Sequence, residues 1–109
     1  MTIDSARIGL PQHALARLLS VLDAYPEVER VILFGSRAKG NFRPGSDIDL
    51  CVVAPALSLS RRLALENALD DLLLPWKVDL IPWEEIDLPD LRSHIQRCGL
   101  VLSARSAPP

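Results

Sequence analysis

Asp47 and Asp49 are separated by one residue, and a basic, glycine-punctuated run lies just ahead of them. On a strand, carboxylates at i and i+2 project from one face, where they present paired hard oxygen donors. Magnesium is normally held by one or two carboxylates together with the phosphate oxygens of a substrate. The preceding run, Gly35-Ser36-Arg37-Ala38-Lys39-Gly40, has the parts of a phosphate cradle. Gly35 can take backbone angles closed to other residues and lets a ligand approach the main chain. Ser36 adds a hydroxyl, and residues 36–39 can form a short helical turn whose free N–H groups favour an anion. Arg37, Lys39 and Arg43 add positive charge around the same point. The chemistry suggested is a divalent cation shared with substrate phosphates. An Asp-x-Asp pair alone says little, since most such pairs are solvated turn residues. The order of the parts carries the weight.

Those residues need elements to hold them. The apolar run Val31-Ile32-Leu33-Phe34, within a strand at about 28–34, stops where the Gly-Ser loop starts, and a second strand-like run at 48–53 follows it. The connection is too short for a parallel crossover, so the two strands should pair antiparallel. Arg43-Pro44-Gly45-Ser46 is turn chemistry that delivers Asp47 onto the second strand. Asp49 is the one acid in an otherwise apolar strand, and such a charge is costly to bury unless it is paired or metal-bound. Upstream, Leu15, Leu18, Leu19 and Leu22 recur at helical spacing after Pro11, and Tyr25-Pro26 ends that helix. Downstream, Ser58 or Ser60 caps a helix reaching to about residue 74, with Leu65, Leu69, Leu72 and Leu73 as its inner face. Residues 77–82 supply a third strand, parallel to the second. Pro89 opens a last helix with Leu91 and Ile95 inside and Gly99 as its C′ stop. Residues 100–102 read as a short edge strand, residues 1–9 as a loose lead-in, and 103–109 as a frayed tail.

Composition sets limits on function. A chain of 109 residues makes one domain, 1–109, with its core expected at about 28–83. Hydrophobic residues make up 49%, which excludes a disordered or fibrous chain. With 12 Lys and Arg against 14 Asp and Glu there is no basic excess, so a grip on long nucleic acid is not expected. Cys51 sits inside an apolar strand and reads as a small buried hydrophobe; with Cys98 far away, no disulfide framework is indicated. No signal pattern or membrane-length stretch is evident, so a cytoplasmic location is expected. His13 reads as a solvated helix residue, because no second ligand lies at a useful helical spacing. Trp76 and Trp83 bracket the third strand, where a tryptophan more commonly packs the strand end than stacks on a base.

The run GSRAKGNFRPGSDIDL, residues 35–50, resembles the signature of the DNA polymerase β-like nucleotidyltransferases: Gly-Ser, a nearby glycine, then Ser-Asp-x-Asp. The short chain is most similar to the minimal nucleotidyltransferases, which occur as antitoxins beside HEPN-domain toxins. The resemblance implies an α/β (α+β) fold, the polymerase β-like palm, with a small mixed β-sheet and helices packed on it. It implies a third catalytic carboxylate on a later strand, and Lys77-Val78-Asp79-Leu80-Ile81 supplies it as Asp79. It implies two Mg2+ ions held by Asp47, Asp49 and Asp79, with Gly35 and Ser36 holding the β- and γ-phosphates of ATP. Arg37 and Lys39 would add point charge there, or else be ordinary exposed cations. Ser46 would either hydrogen-bond a phosphate or steady Asp47. The implied activity is transfer of AMP from ATP to a hydroxyl side chain, a tyrosine, on a cognate HEPN toxin, within a hetero-oligomer. Two other functions stay open: a module that blocks its toxin by contact, and a transferase acting on a small hydroxylated molecule. The last helix departs from the family pattern, with Cys98-Gly99 where a Glu-Gly pair is usual.

Overall fold

The computed structural model describes residues 5–105. In chain order they form helix α1 (Gln12–Asp23), strand β1 (Arg30–Phe34), the one-turn helix α2 (Ser36–Lys39), strand β2 (Ile48–Val53), helix α3 (Leu59–Asp70), strand β3 (Val78–Pro82), a 3-10 turn at Trp83–Glu85, helix α4 (Pro89–Cys98) and strand β4 (Leu100–Ala104). The strands make one mixed sheet in the order β3-β2-β1-β4. The short loop forces β1 and β2 antiparallel, and β4 also runs antiparallel to β1. The crossover through α3 brings β3 back parallel to β2. The β1–β2 and β2–β3 pairings follow from connection length.

The pleat then sorts the side chains. Val31 and Leu33 of β1 and Ile48, Leu50 and Val52 of β2 point to one face, each at most 1% exposed. They pack against Leu15, Leu18 and Leu22 of α1 and Leu65 and Leu69 of α3. Fully burying one such side chain is worth roughly 1.5–3 kcal/mol, so this layer is the main source of stability. On the opposite face Ile32, Phe34, Cys51 and Ile81 meet Ile86 and, from α4, Ile95. That second layer is smaller, and α4 covers only part of it.

Element ends show where local rules gave way. Ser58 Oγ accepts the Arg61 N–H at 3.2 Å, so Ser58 rather than Ser60 caps α3. The helix stops at Asp70, short of residue 74. With Pro75 ahead, Leu74 is steered away from helical angles, and the chain reverses through Leu73 at φ 53. Leu73 is consequently 87% exposed and is no part of an inner face. Gly99 does not use the left-handed region; its φ is −68. Its missing side chain matters for packing instead, since a Cβ there would meet the Ile95 carbonyl and the Ile32 side chain.

The core is wider than the expected 28–83, because its buried cluster runs from Ile8 to Leu102. Of the lead-in, Ile8 is wholly buried, and residues 1–4 lie outside the described residues. Of the expected frayed tail, Ser103 and Ala104 complete β4, and Arg105 Nε donates to the Val28 carbonyl at 3.0 Å. Residues 106–109 lie outside the described residues. Among the described residues no helix is long and apolar enough to cross a membrane.

Candidate active site

β1 ends at Phe34, and the chain turns sharply at Gly35, with φ 76 and ψ −156. An L side chain rarely adopts that conformation, and a Cβ there would lie 2.5 Å from Asp49 Oδ2. Glycine thus lets the main chain run directly against the carboxylate. The next residues close one helical turn: the Lys39 N–H donates to the Gly35 carbonyl at 3.1 Å and the Gly40 N–H to the Ser36 carbonyl at 3.0 Å. The chain then folds back through a second turn, where the Arg43 N–H donates to Ser46 Oγ at 2.8 Å and the Ser46 N–H to the Arg43 carbonyl at 3.0 Å. Ser46 spends its hydroxyl on holding the turn that precedes Asp47.

Register brings the acids together. Asp49 stands opposite Phe34 on β1 and in register with Asp79 on β3. Side chains in register on adjacent strands leave the same face, so Asp49 and Asp79 share the face of Cys51 and Ile81. Asp47 lies just before β2 and is exposed. Burial pushes the Asp49 carboxyl above its ordinary value, the charges of Asp79 and Asp47 push it further, and Lys77 opposes them. Lys77 Nζ sits 3.4 Å from Asp79 Oδ1. Asp49 therefore feels both other carboxylates at one end of the sheet, next to an open glycine turn.

This donor set is all hard oxygen, which suits a divalent cation sharing substrate oxygens. The cost of ionising Asp49 there is the kind that a cation at the same place relieves. Among the described residues no three acids stand as a ready-made cation cage. Asp49 and Asp79 are paired by the sheet, whereas Asp47 is carried by the turn.

Arg37 requires correction. It is 1% exposed, and so it is neither a phosphate-binding point charge nor an ordinary solvated cation. Its guanidinium donates to the carbonyls of Ile8, Gly9, Pro44 and Ser46 at 2.9 to 3.3 Å. A lone arginine in a basic loop carries no sequence signal for this role, because its acceptors are main-chain atoms up to 29 residues away. Lys39, two residues on, is exposed.

The tryptophans are engaged as well. The Trp76 indole N–H donates to the Pro44 carbonyl at 2.7 Å, so this ring braces the turn ahead of Asp47. Arg92 lies 4.5 Å from the Trp83 ring centroid and donates to the Trp83 and Ile86 carbonyls. Sequence reasoning missed both arginine contacts. His13 is exposed, and Cys51 is fully buried with its thiol pushed up to about 11, chiefly by burial. A cleft of about 420 Å³ lies at the other end of the acid-bearing face, lined by Arg30, Ile32, Trp83 and Ile95 among others. It contains no acid and stands apart from the carboxylates.

Comparison with known proteins identifies the family. The nucleotidyltransferase domain family matches residues 15–102. The chain is 30% identical over 101 residues to the probable protein adenylyltransferase MntA of Haemophilus influenzae, covering 92% of this chain and 88% of that protein. A solved toxin–antitoxin structure with AMP-PNP superimposes with a TM-score of 0.67 at 27% identity, covering 84% of this chain and 73% of that one. The toxin–antitoxin MntA–HepT structure gives a TM-score of 0.62 at 25% identity, covering 87% of this chain and 74% of that one. With the match at residues 15–102 spanning the Gly35 turn and all three acids, this chain belongs to the nucleotidyltransferase domain family.

Proposed function

We propose that this nucleotidyltransferase moves AMP from ATP onto a hydroxyl side chain, a tyrosine, of a cognate HEPN-type toxin and thereby silences it. The observation that carries the reading is the in-register placement of Asp49 and Asp79 on one open sheet face, with Gly35 against Asp49. Similarity to a probable protein adenylyltransferase supports adenylyl transfer, and similarity to toxin–antitoxin structures supports a toxin as the acceptor.

Asp47, Asp49 and Asp79 would hold Mg2+, two ions in the full reading. When bound, divalent cations in such a site lower the pKa of an attacking hydroxyl and neutralise charge on the leaving pyrophosphate. The chain's own groups do the rest. The Gly35 main chain and the Ser36 hydroxyl hold the β- and γ-phosphates, with the exposed Lys39 as a nearby counter-charge. Asp79 orients the partner's hydroxyl and accepts its proton as the oxygen bonds to the α-phosphorus and pyrophosphate departs. Ser46 acts through the turn that presents Asp47.

The test is direct: incubate the protein with α-labelled ATP, Mg2+ and the cognate toxin, then follow the label. Label on the toxin, lost with Asp49→Asn, is expected. Tight association without label at saturating Mg2+ would mean neutralisation by contact. Label passing to a small hydroxylated molecule but never to protein would replace the acceptor.

A further inference from the structure

We propose that Arg37 is a positioning residue for the acid cluster, clamping the turn that presents Asp47 to the amino-terminal segment through its buried guanidinium. The inference rests on the metal-binding part of the reading above.

Arg37 Nη1 donates to the carbonyls of Ile8 and Gly9 at 2.9 and 3.1 Å. On the other side, Nε and Nη2 donate to the Ser46 carbonyl at 3.1 and 2.9 Å, and Nη2 also reaches the Pro44 carbonyl at 3.3 Å. One planar group therefore ties two segments separated by more than thirty residues, and Ser46 is the residue bonded directly to Asp47. Two rings flank it, Phe42 at 5.3 Å and Trp76 at 5.5 Å from the guanidinium carbon. Phe42 in turn lies where a side chain on Gly9 would be, so the amino-terminal segment closes against the same knot. Trp76 adds its own bond to the Pro44 carbonyl, so two donors from different elements converge on one turn.

The acceptors explain why this is a clamp rather than an ion pair. All five bonds go to main-chain carbonyls, and no ion pair to Arg37 occurs among the described residues. A buried charge is tolerable when its donors are satisfied, and an arginine fork can reach several fixed acceptors at once where a lysine cannot. Asp49 and Asp79 are set by the sheet ladder, but Asp47 precedes β2 and is exposed, so its position depends on the turn. Arg37 is what fixes that turn from beneath.

The test compares cation affinity with stability. Wild type, Arg37→Lys, Trp76→Phe and Leu18→Ala are titrated with Mn2+ in the presence of AMP-PNP, well below each melting temperature. Leu18 is a fully buried residue of α1 on the other face of the sheet and serves as a purely structural control. Arg37→Lys should weaken Mn2+ binding about tenfold, the scale seen when the outer-shell support of a metal ligand is lost. Trp76→Phe keeps a ring, loses the donor, and should weaken binding two- to threefold, while Leu18→Ala should change it less than twofold. Arg37→Lys binding Mn2+ as wild type does, or Leu18→Ala weakening it equally, would overturn the proposal. Should Arg37→Lys fail to fold, Trp76→Phe decides: unaltered affinity overturns the clamp. A wild-type protein whose Mn2+ binding is indifferent to Asp49→Asn would instead remove the proposed function, and the inference with it.

Discussion

β2 serves two layers that obey different rules. Ile48, Leu50 and Val52 are completely buried on one side, while Asp49 sits half-buried on the other among carboxylates that raise its pKa. The packed side gains from every contact. The acid side carries a cost in the metal-free protein: a carboxylate that would be easier to ionise in water is held beside two others. Stability and chemistry are thus separated by the pleat of a single strand, and the dry layer fixes the register that the acids rely on.

Asp49→Asn should have the largest effect and break the contrast from the acid side. Labelling of a toxin should drop by more than about 100-fold, since loss of outer-shell support alone costs about 10–100-fold. The melting temperature of the metal-free variant should hold or rise, because a repelling charge has gone. Leu50→Ala breaks it from the other side. Emptying that buried site should cost about 2–5 kcal/mol in denaturant unfolding, with activity per folded molecule largely kept.

Gly35→Ala strikes the boundary between the layers. Its backbone conformation costs about 1–3 kcal/mol for a non-glycine residue, and the new methyl meets Asp49 Oδ2. A displacement of about 1 Å at reacting groups can cost about 100-fold, so labelling should fall far more than stability does.

Titration sharpens the comparison with a smaller effect. Asp49 holds its proton more tightly in the folded chain than at its ordinary value of 3.8. Between the unfolded and folded values the native state therefore binds the extra proton, and stability falls as pH rises through that window. Glu27 has the opposite sign, since its hydrogen bond to Arg61 lowers its pKa. The difference between wild type and Asp49→Asn, both free of metal, isolates the Asp49 contribution: the stability of wild type minus that of the variant, from unfolding curves, should fall as pH rises above Asp49's ordinary value of 3.8. The smallest effect belongs to Lys77→Ala. Its pair with Asp79 is largely exposed, and such pairs contribute about 0–1 kcal/mol.

Much of this was legible in residue order. The apolar run 48–53 set the strand, the one-residue spacing of Asp47 and Asp49 put both acids on the face away from Ile48 and Leu50, and connection lengths dictated the β1–β2 and β2–β3 pairings. Gly35 could be identified as a close-approach residue because its neighbours already suggested a ligand loop. Arg37 could not be read, since its acceptors are main-chain carbonyls brought near only by folding. The ends of the chain were misjudged for a related reason. Ile8 has a weak local pattern and its burial comes from the layer it completes, while Ser103 to Arg105 are held by the β4 ladder and the Arg105 bond to the Val28 carbonyl. Leu73 shows the limit of helical spacing: its place in the pattern fits α3, but Pro75 and the reversal into β3 override it.

Diffraction from crystals grown with Mn2+ and AMP-PNP tests the central claim most directly, because the anomalous signal places the cation without reference to activity. The account predicts Mn2+ bridging the Asp47 and Asp49 carboxylates and the phosphates, with Asp79 facing the same pocket. Mn2+ bound at a distance from this triad, or Asp79 turned from the nucleotide and joined to Lys77 alone, would contradict it.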